Sequence, residues 1–238
     1  MAEVAPAAQK TVRVKTTLPS RPLPSNAERL HIRTERLIIR PFVQSDLESY
    51  HALRAQPEVM LFSFKGRPDK DPAETQEALD RFLPPRDRDA HNYAVLLAAT
   101  GELIGGGGYK PGLFMGWPEM GYMFKYEHWK QGYATEFMRA FLEAWWNLPR
   151  QEDVETEADP RSVSLFLENR TSAACNEGGI TRVPEQLTAL VDWENTGSRR
   201  LLEKCGFRQV AEWTEPDCRE GFNGVDVRLV AYAVSKPN

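Results

Sequence analysis

The chain predicts an α+β fold, with a mixed, mostly antiparallel central sheet of six to seven strands flanked by helices. Three observations carry this. Short β-rich runs recur at 92–98, 103–109, 119–124, 186–191, 207–213 and 225–234. The first two are joined by Thr100-Gly101-Glu102, a turn sequence, and so read as a hairpin. Between the third and fourth runs, Ala134, Phe137, Met138, Phe141, Leu142 and Trp145 recur at spacings of three and four, which turns one helical stripe toward a core.

Composition sets the class. Apolar residues make up 41% and charged residues 27% of 238 residues, enough for one globular domain to bury its own core. A net charge of -4 argues against a nucleic-acid partner, which a basic surface would serve. No apolar run approaches the roughly 20 residues of a membrane span, so no membrane partner is expected. Cys175, Cys205 and Cys218 are scattered without CxxC spacing, and neither a metal site nor a disulfide framework is expected. A reduced, cytoplasmic compartment fits this usage, and a nuclear one stays open.

Taken in order, residues 1–30 read as an extended or disordered arm, rich in Ala, Pro, Ser and Thr and basic before Glu28. Prolines at 6, 19, 22 and 24 break an amphipathic presequence, which disfavours a mitochondrial address. Residues 31–236 read as a single domain. Thr34 to Phe42 is a strand ending at Pro41, and Ser45 with Glu48 three residues on caps a helix to about Ala55. Phe62 and Phe64 suit core or substrate contact equally. A second helix spans about Pro72 to Leu83, with Pro72 in its first turn and Pro84-Pro85 as its stop. The glycines at 105–108 lack a following Gly-Lys-Ser/Thr, so they read as close packing or a bulge rather than a phosphate loop. Gly112 to Pro118 reads as a turn. Residues 149–184 fit no packed element and read as a mobile insertion with an acidic run from Gln151 to Asp159. Within it, Asn169-Arg170-Thr171 reads as a chance glycosylation sequon.

The chemistry concentrates between Pro118 and Glu136. A strand, Glu119 to Phe124, leads through a polar turn to Gly132 and a helix. The first N–H groups of a helix lack intrahelical partners and carry partial positive charge. Glycine at the entry lets the backbone approach a bulky anion, which makes a phosphate cradle. Such a junction alone is more often structural, but its wording is specific. Trp129-Lys130-Gln131-Gly132-Tyr133-Ala134-Thr135-Glu136 resembles the acyl-CoA pyrophosphate loop of the GCN5-related N-acetyltransferase (GNAT) superfamily, in its RimJ/RimL-like branch. Trp129 departs from the Gln or Arg usual there. Thr34-x-Arg36-Leu37-x-x-Arg40-Pro41 resembles the first strand of that branch. Asn195-x-x-Ser198, closing at Gly206-Phe207, resembles a second motif of the superfamily.

The resemblance implies a GNAT fold whose sheet is splayed in the middle. It implies an acyl-CoA-dependent N-acetyltransferase moving an acetyl group from acetyl-CoA to a primary amine by direct transfer. The acceptor is a small molecule or a protein N-terminus, and the assembly a monomer or a homodimer. By the same resemblance, backbone near Met123 and Phe124 meets the acetyl carbonyl and backbone near Lys125 the pantetheine arm. Lys130, Gln131, Gly132, Tyr133, Ala134 and Thr135 hold the diphosphate. Asn195 contacts the pantetheine arm or orders the site, and Ser198 lies near the thioester sulfur, as a catalytic group or a plain helix residue. Glu119 matches a general base, which the chemistry needs because an amine arrives protonated; it equally suits a structural ion pair. Leu202 stands where many relatives carry a proton-donating tyrosine, so Ser198, water or no acid serves the leaving thiolate. Two other classes stay open: a non-catalytic acyl-CoA-binding member of the fold, and a protein-interaction module recruiting a basic partner through its acidic insertion.

Overall fold

The computed structural model describes residues 11–167 and 180–236. Its strands are β1 (Val12–Pro19), β2 (Ile32–Arg33), β3 (Leu37–Arg40), β4 (His91–Leu97), β5 (Leu103–Phe114) and β6 (Trp117–Phe124), followed by β7 (Arg150–Ala158), β8 (Thr181–Arg182), β9 (Gln186–Asp192), β10 (Arg208–Pro216) and β11 (Asp226–Ser235). The helices are α1 (Leu47–Arg54), α2 (Pro57–Met60), α3 (Pro72–Leu79), α4 (Tyr133–Trp146), α5 (Pro160–Leu167) and α6 (Thr196–Lys204). The main sheet runs β10-β11-β9-β6-β5-β4-β3-β2. Its neighbours are antiparallel except β6 and β9, which are parallel. This is the α+β architecture the sequence predicts, with eight strands rather than six to seven; the two-residue β2 is too short for a periodic signal.

The sheet is covered on both faces. On one, Phe137, Phe141 and Trp145 of α4 and Leu201 and Leu202 of α6 bury against Met120, Phe124, Leu187 and Val230. On the other, Tyr50 and Leu53 of α1 and Leu79 of α3 bury against Phe42, Ala94 and Leu103. Within β5 the glycines serve packing, as the sequence suggests. A Cβ on Gly106 would lie 2.7 Å from the Phe42 ring, and one on Gly108, at φ +145°, would lie 2.1 Å from the His91 carbonyl oxygen.

Several local expectations are corrected. Asp46, not Ser45, caps the α1 region: its carboxylate accepts the Val43 N–H at 2.9 Å while Arg40 holds it at 2.6 and 2.8 Å. The neighbouring Arg40 guanidinium holds the Asp46 carboxylate in that position. The turn read over Gly112–Pro118 shrinks to Met115-Gly116, both at positive φ (57° and 87°), because β5 continues to Phe114. That pair of angles is what a tight hairpin requires.

The unpatterned arm and insertion are also corrected over part of their length. β1 of the arm pairs antiparallel with β7 and parallel with β8, making a second, three-stranded sheet. Opposite charges assist: Arg13 and Lys15 face Glu155 at 3.8 and 4.0 Å. Val14, Ala158, Val163 and Val183 bury against Trp117 at the hairpin tip. Arg150 meets buried Glu185 at 2.7 Å and locks the small sheet to the main one. The sequon lies outside the described residues, as do residues 1–10.

Candidate functional site

α4 starts from Gly132, which sits at φ +85°. The first amide to find a partner is that of Glu136, which donates to the Gly132 carbonyl at 3.0 Å. Among the described residues no acceptor engages the N–H groups of Gln131, Gly132, Tyr133, Ala134 or Thr135. They form a bare, converging set of donors at the positive end of a 14-residue helix.

The loop is held from outside by the first-strand motif. Thr34 Oγ1 donates to Glu136 at 2.6 Å, and Arg36 donates to Glu136 at 2.7 Å and to the Gln131 carbonyl at 3.0 Å. The Arg36 guanidinium lies over the Tyr133 ring, 4.5 Å from its centroid. Burial pushes the Glu136 carboxyl up, but the hydrogen bonds from Thr34 and Arg36 outweigh it and leave the group below its ordinary value. A depressed carboxylate stabilises the fold above its unfolded value, about 4.3, and loses that contribution as pH falls through its folded value. Glu136→Gln therefore melts at lower temperature than the parent at neutral pH. The difference shrinks below about pH 4, as thermal melts across pH 3–7 would record.

Trp129 explains its departure from the motif. Its indole Nε1 donates to the Phe124 carbonyl at 2.7 Å and its ring bridges both cores. It plugs the base of the loop and leaves the cradle to the backbone. Lys130 is exposed at φ +60°, with no acidic partner among the described residues. Lys125 is bound to Glu102 at 2.7 Å. Glu102, Glu127 and His128 bring ligand atoms within 4.8 Å of one another, but Glu102 is already paired with the Lys125 ammonium.

Beside the loop, β6 and β9 share one rung, Glu119 with Thr188, and part beyond it. The splay predicted for the sheet is therefore present. Lys125 donates its N–H to Ile104 of β5 at 2.8 Å. Alternation along a strand then directs the backbone of Met123 toward β5 and the N–H groups of Tyr122 and Phe124 into the gap. The gap-facing donors are thus those two; Phe124 is among the residues expected there, while the N–H groups of Met123 and Lys125 turn toward β5.

Glu119 lies at the root of the gap with its Oε1 2.8 Å from Lys110 Nζ, the lysine half exposed. Across the gap, Asn195 caps α6 by accepting the Ser198 N–H at 3.0 Å. Asn195→Ala should cost about 1 kcal/mol of stability, measurable by denaturant titration. Ser198 Oγ hydrogen-bonds the Tyr122 hydroxyl, a partner the sequence did not single out. Leu202 is fully buried in the core. Phe64 is 88% exposed, so the core alternative for it falls.

The structure thus places Glu119 and Phe124 on β6, Gly132–Thr135 at the start of α4, and Asn195 and Ser198 at the start of α6. Arg36, Glu136 and Tyr122 are the additions. Arg36 was visible as part of the first-strand motif, though without its partner.

A family model described as an acetyltransferase (GNAT) domain matches residues 36–208. Solved structures match over most of their length. An acetyltransferase (GNAT family) from Bacillus anthracis is 20% identical with a TM-score of 0.57, covering 87% of this chain and 98% of that one. A spermidine N-acetyltransferase from Vibrio cholerae, in complex with CoA and spermine, is 17% identical with a TM-score of 0.57, covering 85% and 96%. A putative ribosomal-protein-serine acetyltransferase from Vibrio cholerae is 14% identical with a TM-score of 0.57, covering 87% and 98%. No curated protein matches the chain.

Proposed function

The chain belongs to the GNAT acetyltransferase family, and from that premise we propose that it transfers an acetyl group from acetyl-CoA directly to a primary amine. The observation that carries this is the set of unengaged amides from Gln131 to Thr135, opening beside the gap between β6 and β9. A diphosphate suits those donors. A thioester lying in the gap meets the N–H groups of Tyr122 or Phe124, which suit the negative charge that develops on its carbonyl oxygen. Glu119 at the root takes the amine proton. Lys110 supports this role, since its primary ammonium already rests on that carboxylate at 2.8 Å. No cysteine stands in β6, so direct transfer is preferred to a covalent intermediate.

The acceptor is a small amine or a protein N-terminus. Polyamines and serine-bearing peptides head the panel, because a spermidine N-acetyltransferase and a putative ribosomal-protein-serine acetyltransferase share the fold. The same Lys110 contact favours a second reading, a member that binds acyl-CoA without turnover. Among the described residues no helix is long and apolar enough to cross a membrane, and a cytoplasmic setting belongs to the proposal. The test is thiol release from acetyl-CoA against the panel. Amine-dependent release supports transfer, and saturable binding without release supports the second reading.

A further inference from the structure

Transfer by this route leaves one chemical need unserved. Breaking the C–S bond places an electron pair on sulfur, and a desolvated thiolate requires a hydrogen-bond donor. Leu202 is buried and has none to offer. Tyr122 lies on β6, three residues beyond the rung at Glu119, roughly 10 Å along the strand. Its hydroxyl crosses to the first turn of α6 and hydrogen-bonds Ser198 Oγ. Ser198 is itself fixed by the Asn195 cap. The pair of hydroxyls is therefore anchored on both walls of the gap.

The order of groups along the gap says what meets this pair. The cradle at Gly132–Thr135 marks one end and Glu119 the other. In an acyl-CoA whose diphosphate sits in the cradle, sulfur lies on the cradle side of the acetyl carbon. The amine and its base lie beyond the carbon. Strand alternation separates the two roles by face as well. Met120, Tyr122 and Phe124 turn toward α4 and α6, whereas Met123 packs toward α1 and α3, on the side shared by Glu119. An amine delivered past Glu119 and a sulfur leaving past Tyr122 use opposite faces of the sheet.

Resting on the transfer reading above, we propose that Tyr122 is the hydrogen-bond donor to the departing sulfur, positioned by Ser198. In the step, the amine nitrogen bonds to the acetyl carbon and the C–S bond breaks with its electron pair on sulfur. The proton lost by nitrogen reaches sulfur through Glu119 and solvent, and Tyr122 ends as it began. Burial pushes its hydroxyl above the ordinary tyrosine value, which keeps it a donor throughout the pH range of turnover.

The test needs no knowledge of the acceptor. CoA is bound to the full chain and to Tyr122→Phe, and the ionisation of its thiol is followed by thiolate absorbance against ligand-free protein. Hydrogen bonding to the charged form favours that form. The bound thiol of Tyr122→Phe should ionise about one to two pH units higher than in the parent chain. Turnover should fall roughly 10–100-fold at unchanged KM for acetyl-CoA. Identical thiol ionisation in the two proteins overturns the inference and leaves the transfer reading standing. Failure of the parent chain to bind CoA overturns both. If Tyr122→Phe does not fold, the parent chain decides: a bound thiol ionising above the pH of free CoA speaks against a donor at the sulfur.

Discussion

Glu119→Gln lowers turnover by ~10²–10⁴ and leaves acetyl-CoA affinity unchanged. The amide keeps the volume of the carboxylate and one acceptor oxygen, but cannot take up the proton. Glu119 stands at the closed root of the gap, where β6 and β9 still share a rung, and far from the α4 amides that would bind a diphosphate. Loss of the base should therefore appear in kcat alone. The competing account is that Glu119 exists for Lys110. That pair is exposed on the lysine side, and such pairs contribute only about 0–1 kcal/mol. Lys110→Met should consequently leave stability and turnover within a few-fold of the parent. Steady-state rates with the fastest panel amine, beside calorimetric CoA affinity, separate the accounts. Unchanged turnover of Glu119→Gln above neutral pH would remove the residue from the mechanism and leave the ion pair as its whole role.

What could be read from the residues was whatever is encoded over short spans. The hairpin of β4 and β5 and the stripe of α4 each depend on residues close to one another in sequence, and each stands as expected. What escaped depends on pairing across the chain. β1 and β7 lie more than a hundred residues apart; the apolar alternation of β1 is brief and β7 is mostly polar, so each alone resembles a loop. Their complementary charge, basic in one and acidic in the other, was the available signal. Arg36 meets Glu136 a hundred residues on, and Tyr122 meets Ser198 seventy-six residues on. A sequence displays those side chains without their partners. The alternation of β6 was also legible, but not its phase. Which residues face the gap is fixed by how β6 pairs with β5, which turns the N–H groups of Tyr122 and of the expected Phe124 into it and those of Met123 and Lys125 away.

Gly132→Asp weakens CoA binding by roughly 100-fold or more while the fold survives. Gly132 occupies the left-handed region at φ +85°, which aspartate tolerates better than most side chains. An added Cβ would lie 3.3 Å from Arg36 Nη2, the far end of a flexible side chain that can shift. At the start of a helix a carboxylate also accepts free amides and complements the dipole, so α4 has little reason to unravel. Those same favourable contacts are the difficulty for a ligand. The aspartate engages the donors a diphosphate would use, and it places a negative charge where another must sit. Two unit charges about 4 Å apart at an effective dielectric of 20 repel by about 4 kcal/mol, and about 1.4 kcal/mol is already tenfold in affinity. Pantetheine, which lacks the diphosphate, should bind parent and variant alike, which isolates the effect to the cradle. Thermal melting should differ by no more than a few degrees. If calorimetry finds equal CoA affinity in a folded variant, no anion is gripped at Gly132–Thr135, and the position of the thioester beside β6, on which the roles of Glu119, Tyr122 and Ser198 depend, has no support.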